Sequence, residues 1–291
     1  MLTEQGYTLR IENWIGRLGN QIIQLSGAIN VARETKSVVL YPYSPFFRRV
    51  SFDFRDKRIE GSPGEVRSSF FFQDSCFQFP IRYDQQRREL FQKYLLGPLT
   101  TPTMAERLKK TIRASTTIDP DTLVINIRSG RDIFTHEPRP QADYMQPPLS
   151  MYKAIISSHG YDNCLIVTEP DQANPVIPAL LQWNSKIKLK RHISVRDDIE
   201  TLLSARHLVI AHSTFSWCLA LMSRNLKVLH QPASFPVRGV KDFIVHTYIP
   251  KNYIAPGEWD ASPSQLNAMV HHPVSDIELL AEENKSLSCF K

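Results

Sequence analysis

The chain has 291 residues, 42% of them hydrophobic and 22% charged, with only 11 Gly, 20 Pro and 4 Cys. This composition excludes a disordered chain, a collagenous repeat and a disulfide-stapled miniprotein, and the length suits two modest domains or one large α/β domain. Lys and Arg exceed Asp and Glu by 35 to 29, a net charge of +6, but the basic residues are scattered and form no recognisable module, so nucleic acid is not an expected partner.

A small anionic ligand fits the same charge. No apolar run approaches the roughly 20 residues that span a bilayer, and the opening is polar without a leader pattern. The expectation is a soluble, unexported, cytoplasmic chain with at most peripheral membrane contact. Cys76, Cys164, Cys218 and Cys289 are widely separated with no C-x-x-C pair, so they read as buried or idle thiols in a reducing compartment, and no metal is expected.

In chain order, Tyr7, Leu9 and Ile11 alternate as in a half-buried strand. After Gly16-Arg17-Leu18-Gly19, the residues Ile22, Leu25, Ile29 and Ala32 recur at helical spacing, and Ser37 to Tyr41 is a short β run: a βαβ opening. From about 43 to 100, aromatics (Phe70 to Phe72, Phe77, Phe79), prolines and Arg pairs define no clear elements. Thr101 as N-cap and Pro102 at the first helical position predict a helix through Met104 to Ile112. Asp119-Pro120-Asp121 is a turn, and Leu123 to Ile127 a buried strand.

The remainder alternates: helix around Met151 to Ser157, strand Cys164 to Val167, helix after Pro175, helix Asp198 to Ala205, strand Leu208 to Ala211, helix Phe215 to Met222 and strand Lys227 to His230. A final helix is expected over about Val274 to Glu283, with a fraying tail from Asn284. Such alternation implies a mostly parallel sheet covered on both faces, and two such halves, 1–118 and 119–291, imply a cleft between them.

Three stretches carry chemical potential. Gly16-Arg17-Leu18-Gly19-Asn20-Gln21 is a glycine-bracketed turn into a helix: a backbone that can approach a ligand, or simply a tight connection. It lacks the G-x-G-x-x-G spacing of dinucleotide sites. Asn126 to Asp132 follows a buried strand, where α/β ligands sit, and the planar fork of Arg128 suits a pyrophosphate. The alternative is that Arg128 and Asp132 simply pair. In the third, Leu208 to Trp217, a β run stops at His212-Ser213-Thr214 and a helix begins; the hydroxyls and bare amides suit either an N-cap or an anion site, and His212 either an acid/base or a satisfied loop histidine.

These segments resemble a known family. Gly16-Arg17-Leu18-Gly19-Asn20-Gln21 with Gln24 is similar to the G-R-L-G-N-Q-x-x-Q opening of the α-1,2-fucosyltransferases. Asn126 to Asp132 resembles their H-x-R-R-G-D motif, shared with α-1,6- and protein O-fucosyltransferases; Asp198-Ile199-Glu200-Thr201-Leu202 and Ser213-Thr214-Phe215-Ser216-Trp217 resemble their D-x-E-x-L and S-T-F-S-W-W segments. The matches follow family order from about residue 11 to 230.

The resemblance implies an α/β GT-B fold, with two Rossmann-like domains facing across a cleft: an acceptor-side 1–118 and a nucleotide-sugar-binding 119–291. It implies an inverting, metal-independent transferase that moves a deoxyhexose, most simply fucose from GDP-fucose, onto a glycan acceptor. Arg128, Asp132 and Asn20 would be catalytic. Gly16, Arg17, Gly19, Arg128, His212, Ser213, Thr214, Phe215 and Ser216 would bind the donor. Asn126 replaces the family His, Ser129 the second Arg, and Cys218 the second Trp, while Arg131 is inserted before Asp132. Another deoxysugar donor such as rhamnose, or a catalytically silent GT-B protein that binds nucleotide sugar or glycan, stays open. Asp132, His136, Glu137 and Asp143 are general-base candidates, and the prolines from Pro138 to Pro148 suggest a shaped acceptor loop or a rigid connector.

Overall fold

The computed structural model describes residues 7–48, 50–55, 65–68, 84–100 and 118–280, with 65–68 known as backbone. The expected helix from Pro102 through Ile112, the aromatics at 70–72, 77 and 79, and the tail from Asn284 lie outside them. The chain forms two compact units: residues 1–117 with 214–224 and 238–240, and residues 118–213 with 225–237 and 241–291. A single cut near residue 118 therefore does not separate them, because the chain leaves the second unit at Thr214 and returns to it at Asn225.

In the first unit, β1 (Thr8–Ile11), β2 (Val38–Leu40), β3 (Phe52–Asp53) and β4 (Glu65–Ser68) form a sheet in the order β3-β2-β1-β4, parallel except for β2 with β3. The connection from β1 to β2 is α1 (Leu18–Glu34), whose Leu18, Ile22, Leu25, Ala28, Ile29 and Ala32 form a buried apolar stripe. A helix that composition alone did not reveal runs as α2 (Asp84–Leu90), one π-helical stretch at Phe91–Leu95, and α3 (Leu96–Thr100). Leu90, Phe91, Leu95 and Leu99 are the buried residues that hold it.

Against these packs α8 (Thr214–Met222), buried from Ser216 through Met222. Its last carbonyls would be costly to bury unpaired. Arg88, 5% exposed, donates from Nη1 to the carbonyls of Leu221 at 2.9 Å and Ser223 at 2.7 Å. Trp217 packs edge-on against Phe91, with ring centres 6.3 Å apart, and lies under the Arg87 guanidinium.

The second unit is built on a seven-stranded sheet in the order β11-β10-β9-β8-β5-β6-β7. Its strands are β5 (Leu123–Ile127), β6 (Cys164–Thr168), β7 (Ile187–Leu189), β8 (His207–Val209), β9 (Val228–Pro232), β10 (Ile244–Pro250) and β11 (Ile277–Leu280), and only β11 is antiparallel to its neighbour. The helices are the short α4 (Arg131–Phe134), then α5 (Leu149–His159), α6 (Val176–Trp183), α7 (Val195–Ser204) and α9 (Pro263–His271). From β5 the chain winds to β6 and β7, then returns to β8 and winds the other way, so the winding reverses between β5 and β8, the place where doubly wound sheets bind ligands.

The fold is α/β with two largely parallel sheets. The helix expected over Val274 to Glu283 is not formed within the described residues: a 3-10 turn at Val274–Asp276 leads into β11, which pairs with β10 from Pro250↔Ile277 to Thr247↔Leu280. The free edge of β10 supplies backbone partners that outweigh the modest helical preference of Glu278-Leu279-Leu280. Helix α7 begins three residues before the expected Asp198, because the Ser194 hydroxyl caps it by accepting from the Asp197 amide at 3.2 Å.

The second unit also contains a chain of histidines and tyrosines at 2.9–3.1 Å spacing: His207 Nδ1, Tyr161 OH, His230 Nε2, then His230 Nδ1, Tyr248 OH and His159 Nε2. His246, the register partner of His230 on β10, stacks on it at 5.2 Å. His230 is fully buried, and burial, followed by the charge of the neighbouring imidazoles, pushes its pKa down to about 2. Cys164 and Cys218 are buried free thiols. No helix among the described residues is long and apolar enough to cross a membrane.

Candidate functional site

In the first unit the turn before α1 is set by Gly16, at φ +65°, a conformation L side chains rarely adopt. A Cβ there would also lie closer than 3.0 Å to Asn20 Nδ2. Gln24, fully buried, braces the turn: its Nε2 donates to the Asn13 carbonyl at 3.0 Å and its Oε1 accepts from the Ile15 amide at 3.3 Å. Arg17 stands at the N-cap with its side chain exposed and makes no capping bond. Gln21 Oε1 accepts from Ser44 Oγ at 3.2 Å, which ties the turn to the loop after β2.

Two of the motif segments, 194 residues apart in sequence, touch each other here. Thr214 Oγ1 donates to Asn20 Oδ1 at 3.0 Å. A Cβ on Gly19 would come closer than 3.0 Å to the Phe215 amide nitrogen, the Thr214 carbonyl carbon and Thr214 Oγ1. One turn on, Cys218 Sγ donates to the Gly19 carbonyl at 3.6 Å. Gly19 therefore lets two helix starts meet backbone to backbone. Ser216 is fully buried, whereas Thr214 and Phe215 are half-buried.

In the second unit Arg128 leaves the end of β5 and Ser213 follows the end of β8, the two strands at the reversal point. Arg128, with its side chain 13% exposed, donates from Nη2 to both oxygens of Asp132 at 3.0 and 2.8 Å, while Nη1 pairs with Glu169. Gly130 permits this fold-back, since a Cβ would sit closer than 3.0 Å to Asp132 Oδ1 and Arg128 Nη1. The loop is stitched to the one after β6. Glu169 accepts from the Ser129 amide, Asp171 from the Arg131 amide at 2.8 Å, and Ser129 Oγ from the Asn174 amide at 2.9 Å. Asn174 Nδ2 donates to the Arg128 carbonyl at 3.0 Å.

Glu169, Asp171 and Asn174 were absent from the residues expected from sequence. The signal was an acid directly after a strand: Ile127 is the register partner of Thr168, so Arg128 and Glu169 emerge side by side. Asn126, where the resembling family has His, is buried and donates from Nδ2 to the Val167 carbonyl at 3.2 Å, a bond within the sheet.

His212 stacks on Phe235 at 4.9 Å and meets Tyr144 edge-on, while Gln146 Nε2 donates to its carbonyl at 3.2 Å. Burial holds its pKa below the ordinary histidine value. The proline-rich loop is fastened to the segment before α9. Buried Trp259 donates from Nε1 to the Ile133 carbonyl at 2.9 Å, His136 Nδ1 lies 2.8 Å from the Asp260 carbonyl, and Tyr253 OH donates to the Gln146 carbonyl at 3.1 Å. Glu137 and Asp143 are exposed. Asp198 accepts from Lys190 Nζ at 2.9 Å and lies 2.7 Å from His192 Nδ1, so it closes the turn between β7 and α7. Among the described residues no group of three or more His, Cys, Asp or Glu is placed to hold a metal ion.

No family model matches the chain, and no curated protein matches it. Among solved structures it is similar to POFUT1 in complex with GDP, at 14% identity over 79% of this chain and 99% of that one, with a TM-score of 0.42. It is also similar to POFUT1 in complex with GDP-fucose in two crystal forms, at 14% and 13% identity over 79% and 81% of this chain and 99% of each, with TM-scores of 0.42 and 0.40.

Proposed function

We propose that the chain is a GT-B glycosyltransferase that takes a deoxyhexose from a nucleoside diphosphate donor, GDP-fucose first, and transfers it with inversion to a glycan hydroxyl without a metal ion. The observation that carries this reading is the placement of Arg128 and Ser213 at the carboxyl ends of β5 and β8, where the winding of the second unit reverses. The order of the resembling segments along the chain supports it.

Transfer from such a donor builds negative charge on the departing diphosphate, and a fixed planar cation is suited to meet it. Arg128 fills that role. Its present partners are carboxylates, so an entering pyrophosphate takes the place of one of them. Asp132, with its side chain 48% exposed, is the more readily displaced, and once released it is free to take the acceptor proton. Asn20 belongs to the first unit, and a role for it toward the donor rests on the motif resemblance alone.

One observation favours a second reading. Arg128 already sits between two carboxylates, and Asn126 is committed to the sheet, a pattern that fits a silent nucleotide-sugar-binding protein. A donor panel decides. GDP-fucose, GDP-mannose and UDP- and TDP-sugars are incubated in EDTA with the wild type and Arg128→Ala. Release of GDP from GDP-fucose, lost in the variant, is expected. Turnover of another donor reassigns the sugar, binding without turnover establishes the silent reading, and no binding to any donor overturns both.

A further inference from the structure

Asn20 has two chemically opposite ends, a carbonyl oxygen that accepts and an amide that donates, and which end a ligand meets decides what the residue can do. Within the first unit the carbonyl end is taken. The single hydroxyl proton of Thr214 goes to Asn20 Oδ1 at 3.0 Å, and the side chain folds so that Nδ2 lies over Gly16, where only a glycine leaves room. Nδ2 makes no hydrogen bond among the described residues, and Asn20 is half-buried.

Thr214 itself has little freedom. Its Oγ1 and carbonyl carbon lie where a Gly19 Cβ would project, and Cys218, four residues on along the same face of α8, is anchored to the Gly19 carbonyl. The first turn of α8 is thus clamped to the first turn of α1, and the threonine hydroxyl is spent on the asparagine.

We infer that Thr214 is a positioning residue that fixes the amide of Asn20 with its N–H donors outward, so that Asn20 meets its ligand as a hydrogen-bond donor, and that Thr214 is not itself a ligand of the donor phosphates. The inference rests on the proposed transferase activity for its kinetic consequence, but its structural content does not. Under that activity the outward N–H groups meet an oxygen that gains charge as the donor bond breaks, a contact that strengthens in the transition state.

The test compares Thr214→Val with Thr214→Ser. The side-chain amide of Asn20, followed by 15N NMR in asparagine-labelled protein and assigned with Asn20→Ala, should show a pair of proton signals displaced from the free-asparagine positions in wild type and Thr214→Ser and moved back to them in Thr214→Val. This readout needs no activity. With GDP-fucose, Thr214→Val should lower kcat about tenfold or more while the donor KM and the GDP Kd stay within about twofold, and Thr214→Ser should restore most of the rate. An Asn20 amide unmoved in Thr214→Val, a GDP Kd weakened about tenfold with kcat retained, or a wild-type rate in Thr214→Val would each overturn the inference. Wild type inactive toward every donor would defeat the transferase reading, and the amide signals would still decide whether Thr214 sets Asn20.

Discussion

The clamp between α1 and α8 and the loop after β5 use comparable motif residues in opposite ways. In the first, the deciding quantity is space: Gly16 and Gly19 are needed because backbone or amide occupies the volume where a Cβ would go. Its side-chain contact is between neutral groups, the Thr214 hydroxyl and the Asn20 carbonyl oxygen. In the second, the deciding quantity is charge, since Arg128 is shared between Asp132 and Glu169, and under the proposed function a diphosphate takes the place of one of them. A motif residue can therefore serve by fitting or by trading partners. The first kind tolerates almost no substitution, and the second tolerates those that keep the balance of charge.

The largest effect should come from the region governed by space. Gly19→Ala puts a methyl into the Phe215 backbone, which has no flexible end to yield, and is expected to cost roughly 3 kcal/mol or more of stability. Urea unfolding followed by Trp fluorescence measures it, and a loss under about 1 kcal/mol would mean that the helix starts part easily. Arg88→Met removes the side-chain donor of the buried Leu221 carbonyl, while the Ser223 carbonyl still accepts from Gln92 Nε2 at 3.2 Å, and should cost about 1–3 kcal/mol by the same assay.

Charge exchange predicts a different pattern for the second unit. Glu169→Gln should lower stability by only about 1 kcal/mol, because a Gln oxygen still accepts from Ser129. The same change should tighten GDP binding several-fold by calorimetry, since one competitor for Arg128 has lost its charge. Unchanged or weaker GDP binding would show that Glu169 does not compete with the diphosphate. Asp132→Asn, at a half-exposed site, should change stability by less than about 1 kcal/mol.

A pH series sharpens the contrast further. His230, His159, His207 and His212 all have folded pKa values below the ordinary histidine value, mainly through burial. The unfolded chain therefore takes up protons first as pH falls. The stability these rings contribute is fully present above about pH 6.5 and is lost below it, with His230 alone accounting for about 1 kcal/mol between pH 7.5 and 5.5. Urea midpoints at the two pH values measure the total, and His230→Phe should flatten the slope.

Much of the fold was legible in the sequence because its elements carry their own periodicity. The buried run Leu123 to Ile127 and the stripe Leu18, Ile22, Leu25, Ile29 need no partner to be recognised. Segment Val274 to Leu280 needed one, since its conformation follows from the open edge of β10. For the site, the strand-end position of Arg128 could be anticipated, but its capture by Glu169 depends on the pairing of β5 with β6, and the contact between Asn20 and Thr214 joins residues that no local pattern links. Alternation also misplaced α8: it follows β8 like any crossover helix, yet its apolar surface is buried with α1 and α2 of the first unit.

The His–Tyr chain has a further property that follows from counting protons. Four links join His207, Tyr161, His230, Tyr248 and His159, and each link needs one hydrogen. The two phenols supply one each and a neutral His230 supplies a third, so the fourth comes from His207 or from His159. Whichever end provides it, every bond must then run in the same direction, and the tautomers of the three rings are chosen together. The network is a one-dimensional polar wire with two senses, and reversing it requires all four hydrogens to shift as a set.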